Sequence, residues 1–370
     1  MKLLALFATT AALCLAAPPG VVIDYIAAET GHYIGSPSIT ILKNGHYVAS
    51  HDFFGPKSTQ SVSAVSRTFV STDKGRTWTR TAEFTDQFWS NLFVHRGKLY
   101  LMGCTNEYGR PVIRQSLDGG RTWSAPSYLT QETGYHTAPM PVVVHKGRLW
   151  RTYEWHPEGK WGFFQSLAVS ATDKADLMDP KSWSFTPRLT FPETGAEPGK
   201  HWLEGNIVLT PGKELWNILR VDNVEKAAIL KVTPEGLTFH RLIDFPGGAK
   251  KFTIRFDKKS RRYWALSNPA MPEFPHSATN PASVRNTLVM MSSADLLTWR
   301  IERTILSHPE PIYHAFQYVD WQFEGNDIIV ASRTAFDDNK GGAKRAHDAN
   351  FLTFHRVENF RRSPPAGAKP

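Results

Sequence analysis

The stretch "STDKGRTWT" at residues 71–79 returns as "SLDGGRTWS" at residues 116–124, so the chain contains the pattern S-x-D-x-G-R-T-W twice. Each copy has the residues of a tight turn. The Asp carboxylate can accept backbone N–H bonds, Gly tolerates a positive φ, and Trp can pack against a neighbouring unit. Less regular versions follow at 170–183 and 292–299. The repetition predicts one turn that is used in successive structural units.

Short β-rich runs surround these turns, and the sequence shows no amphipathic helix of useful length. Six candidate hairpins, among them "SITILKNGHYVAS" and "NLFVHRGKLYLMG", recur roughly 40 to 60 residues apart. That period suits blades of about four strands each. We therefore predict an all-β fold, a six-bladed β-propeller of four-stranded antiparallel blades, in one domain over residues 18–360. The repeated turn would join strands three and four of a blade.

The two ends of the chain differ from this pattern. Residues 1–17 have Lys2, an apolar run from Leu3 to Leu15 and small residues before Pro18, which predicts a cleaved signal peptide and a secreted or periplasmic bacterial protein. Cys14 lies within it, so Cys104 would be the only cysteine left and no intrachain disulfide could form. Residues 361–370, "RRSPPAGAKP", are expected to be a disordered tail.

The charge of the chain limits its partners. There are 43 basic and 34 acidic residues, a net charge of +9, and the densest basic run is "KKSRRYW" at 258–264, which is typical of a solvated hairpin tip. The net charge allows an acidic partner, and the lack of a longer basic run argues against nucleic acid. We expect a monomer without stable membrane association once the signal peptide is removed.

In a propeller, the start of the first hairpin strand and the end of the second lie on one face of each blade. Polar residues recur at these positions in all six blades, which predicts a binding site there. Trp89 and Trp202 lie near this face and could stack on a sugar ring. The candidates at or beside these positions are His51, Asp52, His136, Glu154, Glu204, Arg220, Asp222, Lys250, His314, Gln317 and Arg333.

The S-x-D-x-G-x-T-W turn is identified as the Asp box, and from about residue 30 to 357 the chain resembles the sialidase-like six-bladed propellers, as a divergent member. In that family the Asp boxes lie on the face away from the active site. The resemblance therefore implies that Asp73 and Asp118 are structural residues and not catalytic acids.

The resemblance extends to particular residues of the sialidase site. "EGNIVLTPGKELWNILR" retains a Glu and an Arg at the sialidase spacing, Glu204 and Arg220, and Arg285 in "VRNTL" matches an Arg that binds the substrate carboxylate. Two positions depart from the family. Gly35 in "YIGSPS" stands where the first arginine of the sialidase triad belongs, and Gln317 falls on the position of the nucleophilic tyrosine.

Other tyrosines and acids lie close to these departures. Tyr313 or Tyr318 could replace the nucleophile only after a shift in the alignment, and Arg333 is a candidate replacement for the missing arginine. Asp52 is the nearest counterpart of the general acid, with a loose correspondence. Two guanidinium groups can still bind one carboxylate or sulfate.

Together these residues predict a secreted glycoside hydrolase that acts on an acidic oligosaccharide or polysaccharide, with a substrate changed from sialic acid. An ordinary glycosidase needs one protonated and one ionised carboxyl group. Asp52 and Glu204 are the candidate pair, and the substitutes are His136, His314, Glu154 and Asp222. Three alternatives stay open: a true exo-sialidase, a polysaccharide lyase acting on a uronate, and a carbohydrate-binding propeller without turnover.

Cofactors are not expected, since the sequence has no nucleotide-binding glycine loop and no complete metal motif. His347 and Asp348, with the Asp337-Asp338 pair, could bind a metal, but no spacing among them is diagnostic of a metal site. We expect a loop packed by its own polar contacts.

Overall fold

The computed structural model describes residues 17–192, 201–274 and 280–362. Within these ranges the chain forms 26 strands in six separate antiparallel sheets. The predicted all-β, six-bladed propeller with four-stranded blades is confirmed. The expected signal peptide and tail lie almost entirely outside the described residues. Among the residues described, no helix is long and apolar enough to cross a membrane.

The blades follow one another in chain order, each built from the central axis outward. In blades one and three the innermost strand is split into two short pieces. The strands of blades one to three are Tyr33–Ile34, Ser38–Ile41, Tyr47–Phe54, Val65–Ser71 and Thr79–Thr85; Phe88–His95, Lys98–Cys104, Pro111–Ser116 and Ser127–Tyr128; and Tyr135–His136, Val143–His145, Arg148–Trp155, Gln165–Thr172 and Trp183–Phe185.

The other three blades follow the same plan. Their strands are Trp202–Leu209, Leu215–Val221, Lys226–Thr233 and Gly236–Asp244; Thr253–Asp257, Arg262–Ser267, Thr287–Ser293 and Arg300–Ser307; and Ala315–Glu324, Asp327–Ala335, Phe351–Val357 and Val21–Tyr25. In the part of the chain that the structure describes, three single-turn 3₁₀ helices interrupt the loops, at Ala28–Thr30, Pro180–Ser182 and Pro281–Ser283.

The last blade joins the two ends of the domain. Val21–Tyr25 pairs antiparallel with Phe351–Val357 and forms the outermost strand of blade six. The sequence did not predict this strand, because it lies before the first hairpin. The pairing closes the ring through backbone hydrogen bonds between distant parts of the chain, and Phe351–Val357 becomes an inner strand of the blade.

The repeated turns join strands three and four, as predicted, and they have the expected geometry. Asp73 Oδ1 accepts the Thr77 N–H at 2.9 Å, and Gly75 has a φ of 87°. The Asp118 carboxylate accepts the Thr122 N–H in the same way, at 2.9 Å. These hydrogen bonds pair backbone N–H groups of the turn with a carboxylate only four residues away, so the turn can form independently of its neighbours.

The tryptophans of the repeated turns pack between neighbouring blades. The centre of the Trp78 ring lies 5.6 Å from the centre of the Phe354 ring of blade six. The Trp123 ring lies 5.7 Å from Phe84 of blade one. The hydrophobic core is therefore divided among the interfaces between blades, and each Trp adds a large apolar surface to one of them.

The strand register of blade one places the repeated turn at one end of the blade. Ser71, which precedes the turn, pairs with Tyr47 at the start of the second strand, whereas Ser66 pairs with Asp52 near its end. Asp73 therefore lies at the end of the blade opposite Asp52.

Cys104 is buried and free.

Candidate functional site

A cavity of about 320 Å³ opens at the end of the axis away from the repeated turns. Every blade contributes to it, which the symmetry of a propeller makes possible. Its walls are formed by Gly35, Ser36, Asp52, Phe54, Gln60, Phe88, Trp89, Glu107, His136, Trp161, Glu204, Arg220, Arg285, Tyr318, Arg333 and His347.

Three of these residues occupy the same unusual position in alternate blades. Trp89, Glu204 and Tyr318 have φ values of 47°, 57° and 52°. Each lies in a β-bulge near the start of its inner strand. At this bulge the inner strand advances by three residues while its partner strand advances by two. Non-glycine residues adopt a positive φ only when their surroundings enforce it, and bulges re-aim side chains next to functional sites. The bulges direct all three side chains into the cavity.

Glu204 and Tyr318 meet at the guanidinium of Arg220. Arg220 Nη1 donates to Glu204 Oε2 at 3.0 Å and lies 3.5 Å from the Tyr318 hydroxyl, while Nη2 donates to Asp222 at 3.0 Å. Burial opposes the charge of Arg220, but Glu204, Tyr318 and Asp222 raise its pKa. The arginine is therefore held as a cation that fixes both the carboxylate and the phenol.

Arg285 and Arg333 face the same cavity without a carboxylate partner among the described residues. Arg285 donates to the Ala282 carbonyl at 2.9 Å and to Gln317 Oε1 at 2.5 Å, and Arg333 donates to the His347 carbonyl. Burial lowers the pKa of both groups, that of Arg333 to about 10. Both are charged at neutral pH, and this part of the cavity wall therefore offers an anionic ligand two guanidinium groups that have no carboxylate partner in the described ranges.

The two guanidinium groups also flank the phenol of the site. The Arg285 and Arg333 Cζ atoms lie 5.5 and 4.9 Å from the centre of the Tyr318 ring. The face of the Tyr318 ring stabilises the two cations.

Asp52 forms the opposite side of the cavity. Its two carboxylate oxygens accept the backbone N–H groups of Ser36 at 2.9 Å and Trp89 at 2.6 Å. Burial is the largest influence and raises its pKa to about 6, although these hydrogen bonds lower it. A carboxyl group with this pKa can give and take a proton near neutral pH.

Gly35 leaves the space that the Asp52 carboxyl fills. A Cβ atom at residue 35 would lie 1.6 Å from Asp52 Oδ1. The position at which the sialidase resemblance expects an arginine therefore has no room for any side chain while Asp52 stays in place. Arg333, from blade six, supplies a third guanidinium in this cavity instead.

His136 lies in the cavity wall, held from behind by Glu154. Its Nδ1 lies 3.2 Å from Glu154 Oε2, and Glu154 Oε1 accepts the Gly205 N–H at 3.1 Å. The His136 ring contacts Trp89 at 4.5 Å between ring centres. Glu154 thus orients His136 and also stabilises the bulge beside Glu204.

Several sequence candidates lie outside the cavity wall. Asp222 and Gln317 contact arginines of the cavity from behind, as Glu154 contacts His136. His51 bonds Asp24 at 2.9 Å, Lys250 bonds Glu225 at 3.0 Å, and Trp202 is fully buried between apolar side chains. His314 packs against His308 in the loop before the inner strand of blade six. The expected positions at the cavity are therefore wrong for His51, Lys250, Trp202 and His314.

Regular hairpin spacing favours Gln317 over Tyr318 as the cavity-facing residue. The bulge in this strand moves that position from Gln317 to Tyr318. A signal was present: the inner strands of blades two, four and six have the related stretches "FWSN", "LEGN" and "QYVD" at 88–91, 203–206 and 317–320. The bulge also means that Asn206 does not share the direction of Glu204; it bonds the Ile254 N–H of blade five at 2.9 Å.

His347 lines the cavity, but its surroundings do not suit a metal. Its Nδ1 lies 2.7 Å from Asp348, and Arg345 bonds the same carboxylate at 2.8 Å. Burial and the charge of Arg333 lower the pKa of His347. Guanidinium groups already occupy this region, which accords with the packed-loop interpretation.

Comparison with solved structures identifies proteins of the same architecture. An α-L-arabinanase of Penicillium chrysogenum, complexed with arabinobiose, is 15% identical, with a TM-score of 0.57 over 92% of this chain and 98% of its own. An α-L-arabinofuranosidase of Fusarium graminearum is 12% identical, with a TM-score of 0.59 over 92% and 97%. A Trypanosoma rangeli sialidase in complex with sialic acid is 14% identical, with a TM-score of 0.59 over 92% of this chain and 57% of its own.

These similar structures are glycoside hydrolases, and at such low identity the likeness establishes the fold. The chain has the six-bladed architecture shared by arabinan-degrading enzymes and sialidases. No protein-family model matches the sequence, and no curated protein matches it.

Proposed function

We propose that this protein is a glycoside hydrolase that acts on an anionic glycan, with Tyr318, Glu204 and Asp52 as its catalytic residues. The observation that carries the proposal is the meeting of Glu204 and Tyr318 at Arg220, with two further guanidinium groups beside the phenol. The glycosidase activity of proteins with the same fold supports the reaction class.

The proposed reaction divides one displacement into two steps. Tyr318 attacks the anomeric carbon as its hydroxyl proton passes to Glu204, and Asp52 donates its proton to the departing glycosidic oxygen. Water then attacks the glycosyl–tyrosine intermediate, giving its proton to Asp52, while the phenolate recovers its proton from Glu204. Asp52 can act in both steps, because a pKa of about 6 allows it to be the acid in the first step and the base in the second.

Two arginines without a carboxylate partner among the described residues support an anionic substrate. Arg285 and Arg333 would face a neutral arabinan without a counter-charge, whereas a carboxylate or sulfate would supply one. A tyrosine nucleophile is suited to an anomeric carbon that itself bears a carboxylate, because a carboxylate nucleophile would be repelled there. A tyrosine nucleophile therefore favours a second candidate substrate, a glycoside of a 2-keto acid, the class to which sialic acid belongs. The first candidate remains the acidic glycan without sialic acid that the sequence predicts.

A screen of the purified protein on sialylated, uronate-containing and sulfated oligosaccharides, with arabino-oligosaccharides as the neutral control, tests the proposal. We expect release of an acidic sugar whose mass includes one added water. A product with new ultraviolet absorption would instead show elimination, the lyase alternative, and binding without any product would show a lectin.

Export and oligomeric state are proposed separately from catalysis. We expect cleavage before Pro18 and a monomeric mature protein in the periplasm or the medium. N-terminal sequencing of the protein from the cell fractions, together with size-exclusion chromatography, tests both expectations.

A further inference from the structure

We propose that Lys251 is a positioning residue, which holds the backbone bulge that carries Tyr318 and so fixes the phenol at the cavity. The inference rests on the proposed function, because that function gives Tyr318 its catalytic role. Lys251 precedes the inner strand of blade five, Thr253–Asp257, and is only 1% exposed. It is not among the residues that line the catalytic cavity, so it would act through Tyr318 and not on the substrate.

Lys251 binds the backbone directly after Tyr318. Its Nζ donates to the Val319 carbonyl and to Thr253 Oγ1, each at 2.6 Å, and the Thr253 hydroxyl donates to the same carbonyl at 3.0 Å. The inner strand of blade six is an edge of its sheet, and at the bulge Tyr318 and Val319 together face one residue, Ser332, on the partner strand. A buried carbonyl at such a position needs a donor from outside its own sheet. Blade five supplies that donor.

The bulges of blades two and four are held in a matching way. The Asp52 carboxylate of blade one accepts the Trp89 N–H at 2.6 Å, and Glu154 of blade three accepts the Gly205 N–H, next to Glu204, at 3.1 Å. In each case a buried charged side chain of the preceding blade binds a backbone group of the bulge. Carboxylates bind the two N–H groups, whereas the group in blade six is a carbonyl, which a lysine can bind. The recurrence in alternate blades indicates that these charges fix the direction of the bulged side chains.

The burial of Lys251 is costly, because a charge taken out of water needs compensation. Burial lowers the pKa of Lys251 to about 8, and the carboxylates of Asp320 and Glu204 oppose this shift by favouring the cation. The lysine therefore remains largely protonated at neutral pH. Its cation interacts with Glu204 of blade four and its N–H groups hold the Tyr318 bulge of blade six, so one side chain links the two residues across the axis.

Steady-state kinetics of Lys251→Met test this role, with the sialylated, uronate-containing or sulfated oligosaccharide that the wild type hydrolyses as substrate. Methionine fills the space without a donor, and the Thr253 hydroxyl still reaches the carbonyl, so the variant should fold. We expect kcat to fall by about 10- to 100-fold with KM nearly unchanged, as a displaced catalytic group gives. Thr253→Val removes the second donor to this carbonyl and should lower kcat less; it provides the same test if Lys251→Met does not fold.

Fluorine-19 NMR of the protein labelled with 3-fluorotyrosine gives a readout that needs no substrate. The Tyr318 resonance is the one that Tyr318→Phe lacks, and we expect Lys251→Met to shift or broaden it. Tyr263→Phe is the matched control, because it also removes a hydrogen bond from a side chain to a carbonyl of the neighbouring blade, that of Leu209 at 2.7 Å. The control should retain the wild-type kcat and the wild-type Tyr318 resonance.

The outcomes separate this inference from the proposed function. If Tyr318→Phe is inactive, the proposed function stands, and an unchanged kcat or an unmoved Tyr318 resonance in Lys251→Met overturns the positioning role alone. A lower Tm with wild-type kcat would likewise mean that Lys251 only stabilises the fold. Normal turnover by Tyr318→Phe would overturn the proposed function and this inference with it.

Discussion

Asp52 allows a sharp electrostatic prediction, because a single buried carboxyl group affects both stability and catalysis. Burial raises its pKa from 3.8 to about 6, against the stabilising N–H groups of Ser36 and Trp89. Since a tenfold change in proton affinity is worth about 1.4 kcal/mol, keeping Asp52 ionised in the folded protein costs about 3 kcal/mol relative to the unfolded chain. The substitution Asp52→Asn removes this titration and nearly preserves the shape of the side chain.

The direction in which the Asp52 contribution to stability changes with pH follows from proton binding. Between about pH 4 and pH 6 the folded protein retains the Asp52 proton while the unfolded chain has released it, so this contribution to stability falls as pH rises. Urea unfolding at closely spaced pH values measures this contribution. It equals the difference in unfolding free energy between the wild type and Asp52→Asn. We expect that difference to fall by about 2.4 kcal/mol from pH 4 to pH 7, because the titrations of the other carboxyl groups are largely the same in both proteins and cancel.

Asp24→Asn is the matched control, with the opposite sign. Burial raises the pKa of Asp24, but its contacts with His51 and Arg67 outweigh this and lower the pKa overall. Its contribution to stability is therefore lost as pH falls, so the corresponding difference should rise with pH.

The kinetics provide a second, independent measurement on Asp52. If Asp52 is the general acid, kcat/KM should fall tenfold per pH unit above about pH 6. Asp52→Asn should remove that limb and slow turnover by about 10²- to 10⁴-fold, and by much less for a nitrophenyl glycoside, whose leaving group needs no proton. An unfolding difference independent of pH would refute the raised pKa, and an unchanged pH–rate profile in the variant would refute the role as acid.

Four further substitutions test the cavity. Tyr318→Phe removes only a hydroxyl and should lower turnover by on the order of 10³-fold or more without a loss of Tm; near-normal turnover would exclude Tyr318 as nucleophile. Glu204→Gln should lower kcat by about 10²- to 10⁴-fold while ligand binding, measured by calorimetry, survives; a lower Tm with intact activity would mean a structural pair with Arg220. Arg285→Ala should raise KM for the anionic substrate by about 10- to 100-fold, one charge-assisted bond being worth about 1.5–3 kcal/mol; equal kinetics would remove the anion-binding role. Gly35→Ala places a Cβ 1.6 Å from Asp52 Oδ1, so both activity and Tm should fall, and unchanged activity would show that Asp52 can move without consequence.

The sequence alone determined the architecture, because the signals that define it are local. The turn around Asp73 is held by a bond to Thr77, four residues along the chain, and each hairpin is marked by its own alternation and turn residues. Glu204 and Arg220 were placed together for the same reason, since they lie on the two strands of one hairpin. The outermost strand Val21–Tyr25 was missed because its partner lies at the other end of the chain.

The tertiary structure decided which polar residues reach the cavity. His51 and Asp52 are neighbours on one strand, so they point to opposite sides; Asp52 lines the cavity, while His51 bonds Asp24 of blade six. Tyr318 reaches it in place of Gln317 because a bulge inserts one residue, which a simple two-residue period cannot show. The hydrogen bonds of a turn and the periodicity of a hairpin are set within a few residues. The direction of a side chain at the axis depends instead on bulges and on contacts between blades that are distant in sequence.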